Sequence, residues 1–284
     1  MLALIGILVV IGSTLGGFMI AGGRPMVLFH LSEIVTIGGV AIGTVVISTP
    51  MPVLKTMTAK LGAVFKGSPI TKAFYLDALR MLYELFQIAR KDGLVAIEPH
   101  IESPEKSAVF KKYPAVAADH HAIEFLCDSL RLVLVGSVPP YDLDALLEAE
   151  IDVHHEGDAA AVGAVQKVGD ALPGIGIVAA VLGIVVTMAA ISGPVEEIGE
   201  HVSAALTGTF LGILFAYGFL GPLATAMEHG NAAHGRFYQF LRASIVAFAK
   251  GYAPIVATEF GRRAINADVR PTFAEMESAC KGKK

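Results

Sequence analysis

Four stretches of this chain are apolar over the full width of a lipid bilayer, and no other feature restricts its backbone as much. They are residues 1–22 (beginning "MLALIGILVVIGSTLGGFMI"), 34–50, 171–192 ("ALPGIGIVAAVLGIVVTMAA" and on) and about 203–227. Each approaches the roughly 20 residues that carry a helix across hydrocarbon. In lipid every backbone N–H and C=O must find its partner inside the protein, so spans of this kind are helices. A composition 54% hydrophobic and only 17% charged agrees with an integral membrane protein. The first stretch has no basic residues ahead of it and is long for a signal-peptide core, so it is expected to be an uncleaved span.

The spans pair into two hairpins, closed by the short connections "GGRPMVLFHLSE" and "SGPVEEIGEH". Of the 22 Lys and Arg residues, 12 lie in 51–170 and nine follow residue 228, leaving Arg24 alone in a short connection. The positive-inside tendency therefore puts the large loop and both termini in the cytoplasm. The expected architecture is an all-α membrane protein with four transmembrane helices in two hairpins and a helical cytoplasmic domain. Its parts are a first hairpin over 1–50, a cytoplasmic domain over 51–170, a second hairpin over 171–228, and a cytoplasmic helical tail over 229–284.

Within the loop, Tyr75, Leu79, Leu82, Phe86 and Ala89 share one face at helical spacing, which predicts an amphipathic helix ending near Gly93. "SPEKSAVF" reads as a helix start, with Ser103 as N-cap, Pro104 at the first position and Glu105 in the first turn. After Pro139 and Pro140, Asp142 is placed to cap a long helix running toward the third span. No segment carries strand periodicity.

Enzyme chemistry is not written in this chain. The pairs His120–His121 and His154–His155 are adjacent, whereas a helical metal site needs i, i+3 or i+4 spacing. Phosphate-binding glycine loops and nucleophile elbows are lacking, so no cofactor and no metal are expected. Cys127 and Cys280 have no ligand spacing and read as two unpaired thiols. A net charge of -4 without a basic stripe argues against nucleic acid as a partner.

The last two spans are more informative. Gly176, Ala180, Gly183 and Thr187 fall on one face of the third, and Ala205, Thr209, Gly212 and Ala216 on one face of the fourth. Small faces let helix backbones approach closely where lipid offers no hydrophobic drive, so both spans should pack against other helices. Thr187 and Thr209 can equally bond their own backbones. Pro173 reads as an ordinary proline near the start of the third span. Pro222 lies inside the fourth and removes the helical donor of the Gly218 carbonyl, a feature that serves either a bend or a function. The span interiors carry no ionisable residue, Glu33, Asp170 and Glu228 lying at the edges. Ion paths are marked by such groups. If the chain serves an ion-driven machine, the carboxylate must come from another subunit packed on the threonine-bearing faces.

"ALTGTFLGILFAYGFLGPL", "LPGIGIVAAVLG" and "ARKDGLVAIEPHIESPEKSAVFKKYP" resemble the fourth span, third span and cytoplasmic loop of the MotA stator subunits, in the MotA/ExbB/TolQ family. The likeness extends along the whole chain. It implies a non-enzymatic flagellar stator subunit in the bacterial inner membrane, forming a pentameric ring, surrounded by lipid, around a MotB-like peptidoglycan-anchored partner. That single-span partner would supply an intramembrane aspartate, and the rotor protein FliG would be pushed by the cytoplasmic domain. Position by position, the resemblance implies that Arg90 and Glu98 contact the rotor and that Pro173 and Pro222 couple ion flow to motion. Thr209 would face the partner aspartate, Ala180 would favour protons over sodium, and Thr187 and Tyr217 would belong to the same path. Two other readings are open. One is an ExbB/TolQ-type energiser of a periplasmic partner, separable by locating residue 1 with a reporter. The other is a non-conducting membrane scaffold.

Overall fold

The computed structural model describes residues 2–282, and these are helical throughout, without a strand among them. Twelve α-helices follow in order: α1 (Leu2–Ile20), α2 (Leu31–Ser48), α3 (Met51–Lys66), α4 (Lys72–Asp92), α5 (Glu98–Glu102), α6 (Pro114–Ala117), α7 (His120–Val135), α8 (Pro140–Ala189), α9 (Val195–Ile213), α10 (Gly221–Ala249), α11 (Pro254–Ala264) and α12 (Phe273–Lys281). A π-helical segment, Leu214–Leu220, joins α9 to α10. Four helical stretches are long and apolar enough to cross a membrane: Leu2–Ile20, Pro25–Ser48, Pro140–Ala189 and Val195–Ala249. The second helix begins at Leu31, three residues ahead of the span read from hydropathy.

The chain divides into two compact units, Met1–Gly67 with Gly157–Gly230, and Ser68–Glu156 with Asn231–Lys284. The first unit holds the apolar spans. Its α1 buries no residue, and Leu8, Ile42, Ile47, Val181 and Val185 are exposed in the same unit, as expected of helices that are apolar all round and meet lipid or other subunits. Two small clusters hold it together. Ile37, Leu172, Ile175, Ala179 and Ala216 form one, and Val162, Val165, Ala224 and Met227 the other.

The second unit is built like a soluble helical domain. Tyr75, Leu79, Leu82, Phe86 and Ala89 are all buried on α4, as their spacing predicts. Around them close Phe110, Phe125, Phe237 and Phe240, with Phe86 stacked on Phe248 at 4.3 Å between ring centres. The Thr71 hydroxyl caps α4 by accepting from the Phe74 N–H, and Gly93, at φ 93°, releases the chain from the helix. Arg242 of α10 donates to Asp144 at 2.6 Å and to Glu148 at 3.2 Å, tying α10 to the start of α8. Both cysteines are free, and burial pushes each thiol up to about 12.

Ser103 stands at the N-cap with Pro104 and Glu105 in the first turn, as read from the sequence, but its side chain makes no capping bond and the helix it starts, Pro104–Lys106, is a single 3-10 turn. After that turn the Ser107 hydroxyl accepts from the N–H groups of Val109 and Phe110. Asp142 is a first-turn residue of α8, not its cap, because the helix already starts at Pro140.

Candidate functional site

Within the first unit the small faces of α8 and α9 meet each other. A Cβ on Gly176 would stand 2.9 Å from the Gly208 carbonyl oxygen, 3.1 Å from Gly212 Cα and 3.3 Å from Thr209 Cα. One on Gly212 would stand 2.6 Å from the Leu172 carbonyl oxygen and 2.9 Å from Gly176 Cα. Higher along the pair, Gly183 lies against Ala205 at 2.9 Å by the same measure. These are backbone-to-backbone approaches that only hydrogen side chains allow. The structure thus brings Gly176, Thr209 and Gly212 together, and Gly183 with Ala205. Ala216 falls off this seam into the cluster with Ile37, Leu172, Ile175 and Ala179.

The two threonines separate. Thr187 is buried and donates its hydroxyl to the Gly183 carbonyl at 2.8 Å, the self-satisfied state available to any helical threonine. Thr209 is half-buried on the seam, as is Ala180 on α8. Tyr217 belongs to neither contact, with 69% of its surface exposed.

Pro222 sits inside the fourth span, as the sequence placed it, whereas Pro173 does not sit where the sequence placed it. Pro173 is deep inside the 50-residue α8, not near a helix start, because the helix that begins at Pro140 continues unbroken into the span. Without an N–H it leaves the carbonyl four residues earlier, that of Gly169, without its helical donor. Pro222 follows directly on the π-helical segment, as the second residue of α10. Here the Gly221 N–H reaches back to the Ala216 carbonyl, and the wider turn absorbs the break. The two loosened stretches abut: a Cβ on Gly169 would lie 3.5 Å from Leu220 Cβ and 3.9 Å from the Gly221 nitrogen. On its other side the π segment meets α1, where a Cβ on Gly218 would lie 3.1 Å from Val10 Cγ1.

Sequence reasoning missed one residue here. Glu33 does lie at the edge of its span, but it is not a solvated group there. It is buried in the first turn of α2, with its carboxyl oxygen Oε2 packed over Gly208. The helix starts earlier than hydropathy indicated, and this draws Glu33 inside. A glycine immediately before Thr209 was the available signal, because it leaves room for a side chain from elsewhere.

In the second unit Arg90 and Glu98 are both exposed, near the end of α4 and at the start of α5. Arg90 lines a groove with Gly93, Leu94, Gly136, Ser137 and Pro139. Among the described residues no group of three or more His, Cys, Asp or Glu side chains is placed to hold a metal. His154 is engaged otherwise, stacked on Tyr238 at 5.3 Å between ring centres.

Comparison with known proteins agrees with this geometry. The motility protein A N-terminal model matches residues 4–93, and the MotA/TolQ/ExbB proton channel model matches residues 117–234. Motility protein A of Salmonella typhimurium is 38% identical across 98% of this chain and 94% of its own length. The Escherichia coli protein of the same name is 37% identical over the same shares. Chemotaxis protein LafT of Vibrio parahaemolyticus is 38% identical over 96% of each chain. The fold is that of C. jejuni MotAB, at a TM-score of 0.76 and 22% identity over 94% of this chain and 96% of that one. With relatives this similar along nearly its whole length, the chain belongs to the MotA/TolQ/ExbB proton channel family, among its motility protein A members.

Proposed function

We infer that the chain is a stator subunit of the bacterial flagellar motor, which couples ion flow across the inner membrane to ring rotation and to torque on the rotor. One observation carries the reading. The α8 and α9 backbones are in contact at Gly176 and Gly212, and each helix path is opened by a proline where Gly169 meets Leu220 and Gly221. A pair packed this closely is stiff along the seam and compliant at one level, which suits two alternative packings. The membrane potential supplies about 2.3 kcal/mol per charge per 100 mV. That is enough to bias a step between them.

The partner in this reading is a MotB-like single-span subunit anchored to peptidoglycan. The structural neighbours are MotAB proteins, the Bacillus subtilis one a flagellar stator complex. Five copies of this chain surround two of the partner, whose aspartate approaches Thr209. Pro173 and Pro222 transmit the resulting change, Ala180 offers a methyl where a sodium site needs an oxygen, and Thr187 and Tyr217 flank the path. The four spans follow the hairpins described, with both termini, the 51–170 region and the 229–284 tail in the cytoplasm. There Arg90 and Glu98, both exposed, meet the charged face of FliG.

Co-expression with the partner, followed by mass measurement of the purified complex, tests the assembly. The expected result is a 5:2 mass whose proton leak is abolished by replacing the partner aspartate with asparagine. A ring of this chain that excludes the partner, or one indifferent to that aspartate, counts against the reading.

A further inference from the structure

Glu33 has only 4% of its surface exposed, although α2 is one of the helices able to cross the membrane. Its Oε1 receives the Ser32 hydroxyl at a long 3.5 Å. Its Oε2 is fully buried without a hydrogen-bond partner among the described residues, and the same holds for Nε2 of His30, the α2 N-cap three positions earlier. His30 stands at the N-cap and Glu33 in the first turn, so both groups belong to the same end of α2. Oε2 occupies the place where a side chain on Gly208 would begin, and the same Cβ would lie 3.2 Å from Ala179 Cβ. The carboxyl therefore reaches from α2 onto α9 at the residue preceding Thr209. One turn further along α2, Ile37 seals the contact against Leu172, Ile175 and Ala179.

Burying a polar atom without a partner is costly, and burying an unpaired charge is far more so. An ionisable group kept buried and unpartnered at the end of a membrane-spanning helix therefore points to a function. We propose that Glu33 is a proton-binding group that this chain itself contributes to the ion path, in the contact between α2 and α9 beside Gly208. A proton arriving there forms an O–H bond on the carboxylate and leaves by the same bond, with no other bond changed. The inference rests on the reading of the chain as an ion-coupled subunit. His30 is the nearest titratable neighbour on α2. Glu196, Glu197, Glu200 and His201 of α9 all lie seven or more residues before Gly208, the 3-10 turn Pro25–Leu28 carries no titratable side chain, and Asp170 of α8 lies nine residues before Ala179.

The test uses the full chain purified with its partner and treated with dicyclohexylcarbodiimide, a membrane-soluble reagent that forms a stable adduct with protonated, water-shielded carboxyls. Digestion and mass spectrometry should find the adduct on the peptide containing Glu33, with less of it as pH is raised. Glu33→Gln, close in shape, should abolish the adduct and slow proton flux into vesicles by about tenfold or more, at unchanged complex mass. Glu33→Asp should restore part of both. A complex of unchanged mass in which Glu33 is never labelled, or in which Glu33→Gln conducts like its parent, overturns the proposal. A parent complex that passes no protons contradicts the ion-coupling reading instead, while the labelling still decides whether Glu33 binds a proton.

Discussion

A single hydrogen atom does the structural work at Gly176 and Gly212. On Gly212, a methyl group would press on the Leu172 carbonyl at 2.6 Å, where neither helix backbone can yield without sliding the pair. On Gly174, two positions before Gly176 on the same helix, it would meet nothing within 4 Å. Gly212→Ala should therefore destabilise the purified protein by about 1–3 kcal/mol, the usual range for overpacking, and reduce swimming. Gly174→Ala should leave both near the parent values; thermal unfolding and a soft-agar motility assay would show the contrast. The seam itself was legible from spacing, since glycines at helical intervals in a span permit close approach. What sequence could not say is which surface answers it. The faces were expected to pack against other helices, and they do so by meeting each other. The edge position of Glu33 was legible, but its burial was not, because hydropathy cannot tell a solvated charge at the end of a span from one folded back over a glycine.

Helix starts and stops were read with uneven success, and the failures have a common cause. Capping residues work through local hydrogen bonds that compete with those of their neighbours. Ser103 stands at its N-cap without a side-chain bond, while the Ser107 hydroxyl accepts two N–H groups further on, and the start expected at Asp142 comes at a proline two residues earlier. The amphipathic α4, by contrast, depends on nine buried side chains at once and was plain in the sequence. The last helix shows how a cap can be strengthened from a distance. Thr272 and Glu275 form a reciprocal capping box on α12, and the Lys72 ammonium donates to Glu275 at 2.7 Å. The Lys72 bond first, and then the Thr272 N–H, hold the Glu275 carboxyl at about 2, below its ordinary 4.5. A folded value below the unfolded one stabilises fully above 4.5 and is lost as pH falls toward about 2. The protection of α12 against hydrogen exchange, taken relative to the free-amide rate at each pH, should accordingly fall across that window ahead of that of α4, and Lys72→Met should move the onset to higher pH. Equal exchange in the variant and the parent would refute the link.

At the scale of the molecule the chain combines two kinds of folding problem. The second unit buries aromatic side chains as a water-soluble domain does, whereas the first leaves α1 without a buried residue and relies on backbone proximity and on what surrounds it. Of the three division points, one falls in the connection between α3 and α4, at 67 and 68, while the other two were not visible in composition because they fall inside continuous helices: α8 between 156 and 157, α10 between 230 and 231. The exposed charges of the second unit follow the rules of water. Contacts between solvated ions are individually worth about 0–1 kcal/mol and are screened by salt. Charge reversal at Arg90 should thus impair motility more than its neutralisation, with partial rescue by the opposite reversal on the rotor protein; equal defects without rescue would argue against contact there.

The π-helical turn between Leu214 and Leu220 has a consequence for chain length. A π turn holds one residue more than the α turn it replaces, so this region carries a surplus that the flanking helices do not need for their own hydrogen bonds. Removing one residue from Leu214–Leu220 would let α9 and α10 join in ordinary register without rotating either. The same deletion within Val195–Ile213 would turn everything before it by about 100° relative to everything after. Because the wider turn also absorbs the break at Pro222, a shortened chain that assembles but no longer swims would assign the surplus residue to movement, and one that fails to fold would assign it to the proline.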